Sequence, residues 1–337
     1  MDRENRGVRV KFAQKIILAA GFLTLGALLW KMDVSSVASL VGKVGWGFVF
    51  ILLQEIGAHS FNALGWRFAM RPKTAQLYSL SELLRYRVIG DGVNYLTPTA
   101  QIAGEFARAS LLGPGASFDV RLAGVVAAKF SQGMAQFLFA LFGAAWLVGG
   151  RIPAIAPYQS WLQAAAVLAI LALAGFIAYE KFRPERKTAD PDALPGGLRG
   201  MPKQIKSFLQ DHPGRAALSV VFFLGGFAWN AIEVYWICRF LGIPVDWGTA
   251  LAIETMSSII DGLLFMVPAK VGTQEAGKTA IFAMLGMSAR AGFALGIVRH
   301  IRELAWAGLG LALYSARMKA DEKKTPAPAE TAVSSSL

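Results

Sequence analysis

The apolar positions gather into blocks: Gln14 to Trp30, Trp46 to Trp66, Val120 to Val148, Trp161 to Tyr179, Ala216 to Leu241 and Ala291 to Tyr314. Each is close to or above the roughly 20 residues that carry a helix across the hydrocarbon core of a bilayer. Six spanning helices are therefore expected. Two further stretches, Leu77 to Gly113 and Thr249 to Leu285, are apolar but interrupted by glycine, proline and charge. A straight span describes them poorly, because backbone freed by a break must be satisfied inside the protein or in a water-filled cavity. The pattern as a whole predicts an all-α polytopic membrane protein with about six spans and two re-entrant, broken-helix hairpins.

Composition agrees, with 55% of the 337 residues hydrophobic. The net charge of +12 would suggest a nucleic-acid partner in a soluble protein. Here the basic residues cluster where spans end, so no nucleic acid is expected and the charges are read as topology signals. Arg3, Arg6, Arg9, Lys11 and Lys15 precede the first block; Arg67, Arg71 and Lys73 follow the second; Arg317 and Lys319 follow the last. The central loop is basic too, whereas the loops near Asp33 to Gly45 and Arg151 to Gln159 are poor in lysine and arginine. The positive-inside rule then places both termini in the cytoplasm of a bacterial inner-membrane protein. The first block runs into Lys31, Met32 and Asp33 with no small-residue cleavage site and is expected to remain as an anchor. Cys238, the single cysteine, lies inside an apolar block, which excludes an intramolecular disulfide and a cysteine metal cluster.

Four segments are expected: a first membrane repeat over residues 1–180, a cytoplasmic linker over 181–215, a second repeat over 216–316, and a disordered tail over 317–337. The linker assignment rests on Pro184, Pro191, Pro195 and the glycines at 196 and 197. The repeat rests on spacing. Asp91-Gly92, Pro98, Glu105 and Arg108 are matched by Asp261-Gly262, Pro268, Glu275 and Lys278 at a constant offset of 170 positions (261 minus 91). The same offset lays Lys129 over Arg299 and Trp66 over Trp236. With the orientation above, one hairpin opens inward and the other outward, giving an inverted repeat. Interrupted apolar segments at corresponding positions of two halves point to a transporter site near the bilayer midplane. Asp91, Pro98, Asp261 and Pro268 are taken to mark the breaks, proline because it lacks the amide donor and disfavours helix before it.

Ionisable residues at membrane depth are costly, so they are candidates for function. Glu105 with Arg108, and Glu275 with Lys278, stand three apart and can neutralise each other on one helix face. They serve either as structural ion pairs or as substrate contacts. Arg299, Arg302 and Glu303 fall near the centre of the last block, and Lys129 with Gln132 and Gln136 in the third. Arg299 can pair with Glu303. Arg302 and Lys129 have no partner on their own helix, which leaves either a basic surplus suited to phosphate or carboxylate, or pairing with Glu55, Glu233 or Glu254 on other spans. Glu55 and His59, four apart, form either a proton relay or a hydrogen-bonded packing pair. Asn94, Asn230 and Trp66 are read as packing or interfacial residues and not as ligands. Three scattered histidines make no metal triad, and no Walker loop or dinucleotide fingerprint occurs, so neither metal nor cofactor nor catalytic role is expected.

The run Arg87-Val-Ile-Gly90, Asn94-Tyr-Leu-Thr-Pro98, Gly104-Glu105-Phe-Ala-Arg108 resembles the first signature of the flippase-like membrane domain of lysylphosphatidylglycerol synthetases. Val267-Pro268, Gly272-Thr-Gln-Glu275-Ala-Gly277, Leu285-Gly286 and Arg299 to Glu303 resemble its second. The likeness covers about residues 10 to 316, and the wording of Val93 to Arg108 and Glu233 to Gly242 is most similar to the hopanoid-biosynthesis-associated branch. It implies a protein that moves a lipid between leaflets or supports its export, with Glu105, Arg108, Glu275 and Arg299 to Glu303 along the lipid pathway. The soluble aminoacyl-transferase domain of the synthetases is missing from this chain, so synthesis of that lipid is not expected of it. A transporter of a hopanoid or an anionic or polyprenyl-type lipid and a non-transporting accessory partner of lipid-biosynthesis enzymes are the two functions in play.

Overall fold

The computed structural model describes residue 39 and residues 42–97, 102–113, 115–153, 155–182, 201–264, 267–270 and 272–324. The expected first span, Gln14 to Trp30, lies outside them, as do Pro98, Pro184, Pro191, Pro195 and the glycines at 196 and 197. The described residues form eleven α-helices and no strand. They are α1 (Gly47–Ala69), α2 (Pro72–Gln76), α3 (Leu80–Leu96), α4 (Ile102–Leu111), α5 (Phe118–Gly143), α6 (Gln159–Phe182), α7 (Met201–Asp211), α8 (Pro213–Phe240), α9 (Trp247–Leu263), α10 (Thr273–Met284) and α11 (Ala289–Lys324).

The continuous stretch Phe118–Val148, which joins α5 to a π-helical turn, and α8 are long and apolar enough to cross a membrane. At 23 residues α1 reaches about 35 Å, so it has spanning length as well. The polarity of the molecule is inside out. Phe137, Trp161, Leu168, Leu171 and Val221 are exposed, while Arg108, Glu233, Glu254, Lys278, Arg299 and Arg302 are buried. Such an apolar exterior suits lipid, and the polar groups are tolerable only in the interior.

Both broken stretches are helix pairs, α3 with α4 and α9 with α10, each packed against its mate. Asp91 and Asp261, however, stand within α3 and α9 and do not mark the breaks. Arg87 holds Asp91 in the helix from one turn earlier, its Nε 2.7 Å from the carboxylate. Gly92 serves packing: a Cβ there would lie 2.8 Å from the carbonyl oxygen of Ala307 on α11. The second break does fall at Pro268, where a 3-10 turn runs over Pro268–Lys270. Ala269 and Lys270 there take positive φ of 49° and 53°, a left-handed conformation that disfavours non-glycine residues.

Inside the stretch expected as a linker, residues 201–211 form α7. Ile205, Phe208 and Leu209 recur at helical spacing, and Phe208 is buried in the core. Helix α11 likewise runs on to Lys324, into the expected tail.

Two apolar cores are stacked along the long helices. One contains Ala63 and Trp66 of α1, Phe223 of α8, and Leu304, Ala307 and Leu311 of α11. The other contains Ile51 of α1, Val234 and Ile237 of α8, and Leu295 and Val298 of α11. Helices α1 and α8 approach closely, with Gly65 against Phe223, Ser219 donating to the Gly65 carbonyl at 2.7 Å and Trp229 donating to that of Gln54 at 2.9 Å. Between the cores each long helix carries polar residues: Glu55 and His59 on α1, Glu233 on α8, and Arg299 to Glu303 on α11.

Candidate functional site

The polar layer surrounds a cavity of about 430 Å³. Helix α3 contributes Asp91 and Asn94, α5 contributes Lys129 and Gln132, α9 contributes Asp261, and the α9–α10 break contributes Lys270. Two ion networks line it.

The first is built on α3 and α4. Asp91 accepts from Arg87 on its own helix and from Arg108 on α4. Arg108 also donates to Glu105 at 2.7 Å, the pairing expected from their spacing. Lys129 reaches Glu105 from α5 at 3.5 Å. This network needs close helices, and glycine provides them: a Cβ on Gly104 would collide with the Gly90 carbonyl and with Asn94. Asn94 is a structural hinge pin that the sequence did not single out for a polar role. Its Oδ1 accepts from the Gly104 amide at 2.7 Å and its Nδ2 donates to Glu105 at 3.3 Å, so a side chain on α3 satisfies an orphan amide in the first turn of α4.

The second network is built on α11. Arg302 donates to Glu233 through Nε (2.7 Å) and Nη2 (2.8 Å) and meets Glu55 through Nη1 at 2.8 Å. Arg299 forms a two-point pair with Glu254 (2.7 and 3.2 Å) and lies 3.1 Å from Glu233. Lys270, which sequence patterning passed over, bridges Asp261 at 2.8 Å and Glu303 at 3.3 Å. It sits beyond a proline break, where helical spacing to a carboxylate has no meaning; only the adjoining Val267-Pro268 marks the place.

Several expected pairings are replaced. Arg299 turns to Glu254 and Glu233 instead of Glu303, because buried carboxylates on neighbouring helices offer a closer two-point partner. Glu275 meets His300 at 2.5 Å instead of Lys278. Lys278 is 1% exposed and has no carboxylate within ion-pair distance among the described residues. Glu55 and His59 do share a face but engage different networks. Glu55 meets Arg302, while His59 lies 3.5 Å from Asp91 and packs its ring on Trp306 at 4.7 Å. Helix α1 thereby touches both networks.

Of the two alternatives for the interior cations, pairing with acids is the one found, and the basic surplus is not. Arg87, Lys129, Lys270, Arg299 and Arg302 line the cavity, and Glu55, Asp91, Glu254, Asp261 and Glu303 line it with them, five of each sign. Arg302 and Lys129 both meet acids, Arg302 meeting two of those named as alternatives. The lining also has uncharged donors and acceptors: Asn62, Asn94, Gln132, Gln136, Asn230 and Thr273. Such a lining can offer hydrogen bonds to a polar group but presents little unneutralised charge.

Comparison with known proteins adds one finding. The family model described as the lysylphosphatidylglycerol synthase TM region matches residues 13–311. No curated protein and no solved structure matches the chain.

Proposed function

The chain belongs to the lysylphosphatidylglycerol synthase transmembrane-region family, and from that premise we propose that it is a lipid translocator and not an enzyme. The observation that carries the proposal is the charge-compensated cavity of about 430 Å³, held between two broken-helix pairs and lying partway along long apolar helices. In this scheme the α3–α4 and α9–α10 pairs are re-entrant hairpins inserted from opposite faces, the two halves form an inverted repeat, and both termini are cytoplasmic. The lipid head group enters the polar layer while its apolar part stays outside, in the bilayer. Rocking of one half against the other would expose the layer to each leaflet in turn.

Balanced lining favours a head group rich in hydroxyls or carrying both charges over one carrying only negative charge, since each of the five cationic side chains of the lining is already opposed by carboxylate. A polyol head group of the hopanoid kind fits this condition, as does a zwitterionic one. Lys129 offers an accessible handle on the lining, its side chain 41% exposed and 3.5 Å from Glu105.

Purified protein reconstituted into vesicles tests the proposal through the loss of fluorescence when a membrane-impermeant reductant meets labelled lipid. Wild type should let label in the inner leaflet become accessible. Lys129→Gln with Gln132→Leu should slow that exchange about tenfold, as expected for losing roughly 1.4 kcal/mol of differential interaction. If wild type moves none of a panel of polyol, zwitterionic and anionic lipids, translocation is wrong and an accessory role beside lipid-biosynthesis enzymes takes its place.

A further inference from the structure

A second cavity, of about 550 Å³, lies apart from the polar layer and shares no lining residue with it. It opens where the end of α1, helix α2, the start of α5 and helix α7 come together. Its walls are apolar, from Leu77, Val120, Ala127, Ile205 and Phe208. Its rim is basic, from Arg71, Lys73 and Arg121, with His212 beside them.

The rim cations are unequally committed. Arg71 is neutralised, donating to Ser207 at 2.8 Å and lying 3.5 Å from Asp211, which also accepts from Ser207 at 2.9 Å. Lys73 is exposed and forms no ion pair among the described residues. Arg121 donates through Nη1 to the Leu112 carbonyl and lies over the Phe118 ring, but its Nε has no partner among the described residues. Burial and the neighbouring Arg71 hold His212 below its ordinary pKa, so it adds no positive charge to the rim at neutral pH.

Helix α7 explains the cavity's shape. Phe208 faces inward, and Lys203 and Lys206 are exposed. An amphipathic helix with lysines on its polar face suits the plane of a membrane interface, where it closes one side of the hollow.

We propose that this cavity binds an anionic glycerophospholipid, its phosphodiester between Lys73 and Arg121 and one acyl chain along Val120, Ala127 and Phe208. Lys73 and Arg121, neither of them paired with a carboxylate among the described residues, supply the charge complement to phosphate. The apolar walls distinguish a lipid from a free anion, which would gain nothing from them. The chain's own N-terminal segment is a poor occupant, because Arg3, Arg6, Arg9 and Lys11 have the same sign as the rim.

Native mass spectrometry of the full chain in detergent tests this, by titration with phosphatidylserine and phosphatidylcholine of identical acyl chains. Wild type should retain phosphatidylserine in preference. Lys73→Gln together with Arg121→Gln should weaken retention about twenty-five-fold, at about fivefold for each cation near the surface, while Lys73→Arg should preserve it. Lys73→Glu, at an exposed side chain outside any hydrogen-bond network, gives the same test if Arg121→Gln unfolds the protein, and it should abolish the preference. Equal retention of phosphatidylcholine by wild type, unchanged binding in the variants, or displacement by millimolar inorganic phosphate would each overturn the proposal.

Discussion

Arg302 on α11 donates to Glu233 on α8 through both Nε and Nη2, at 2.7 and 2.8 Å, and Glu233 is 0% exposed. No rearrangement of surface side chains can break this pair; separating α8 from α11 must break it directly. Removing one partner from a buried ion pair strands the other and costs about 3–5 kcal/mol. Glu233→Ala should therefore lower the thermal unfolding midpoint of the purified protein well below wild type, and Glu233→Gln, which keeps one acceptor, should lower it less. A midpoint unchanged in Glu233→Ala would mean that Glu55 and Glu254 already satisfy both arginines.

Helix crossings in the first broken pair depend on the missing side chain at Gly104. A Cβ there would collide with the Gly90 carbonyl, and backbone cannot turn aside as a flexible side chain can. Overpacking of this kind costs about 1–3 kcal/mol, and the displacement would carry Glu105 and Arg108 together away from Asn94 and Asp91 on α3. Gly104→Ala should reduce both the unfolding midpoint and lipid exchange. Gly175→Ala, at an exposed position on α6 where an added Cβ meets nothing within 4 Å, should be neutral or slightly stabilising.

Asn94 joins α3 to α4 through two hydrogen bonds of opposite sense, accepting from the Gly104 amide and donating to Glu105. Asn94→Asp keeps the acceptor but sets a second carboxylate against Glu105, whereas Asn94→Leu strands the amide. Leaving a buried group unpaired costs about 1–3 kcal/mol. Both variants should lose stability, and only the loss in Asn94→Asp should shrink on acidification, as the added carboxylate is neutralised. Unfolding midpoints of the two variants measured across pH 4 to 8 compare them directly.

Sequence reading finds the charged layer and names Glu55 and Glu233 among the acids open to Arg302, but its same-helix spacings give Arg299 and Glu275 the wrong partners. Spacings of three and four residues report which side chains share a helix face, and for Glu105 with Arg108 that sufficed. They are blind to partners on another helix, which is where Glu233, Glu254 and Glu55 stand relative to Arg299 and Arg302. The matched Asp-Gly dipeptides at 91 and 261 were informative as positions and misleading as breaks. Glycine beside aspartate signals a turn in isolation, yet Gly92 is helical and small because α11 passes over it. Asn94 and Lys270 were missed for related reasons: each acts across a chain break, where no periodicity connects a residue to what it touches.

The second break offers the sharpest test of how backbone strain serves the site. Ala269 and Lys270 both adopt left-handed backbone conformations, which cost non-glycine residues roughly 1–2 kcal/mol each. The turn swings the Lys270 ammonium to within 2.8 Å of Asp261 and 3.3 Å of Glu303, so one cation opposes carboxylates from α9 and α11. Ala269→Gly relieves strain in the folded protein but adds freedom to the unfolded chain, and its stability should stay within about 1 kcal/mol of wild type. Ala269→Val should be clearly destabilising, since a β-branched side chain fits the left-handed region poorly. Lys270→Met keeps the length of the side chain and removes the charge, leaving Asp261 and Glu303 facing a shared apolar side chain. It should lower stability by several kcal/mol, and Lys270→Met with Asp261→Asn should regain part of the loss. If Lys270→Met is as stable as wild type, the strained turn is held by backbone contacts alone and the ammonium has no structural role between α9 and α11.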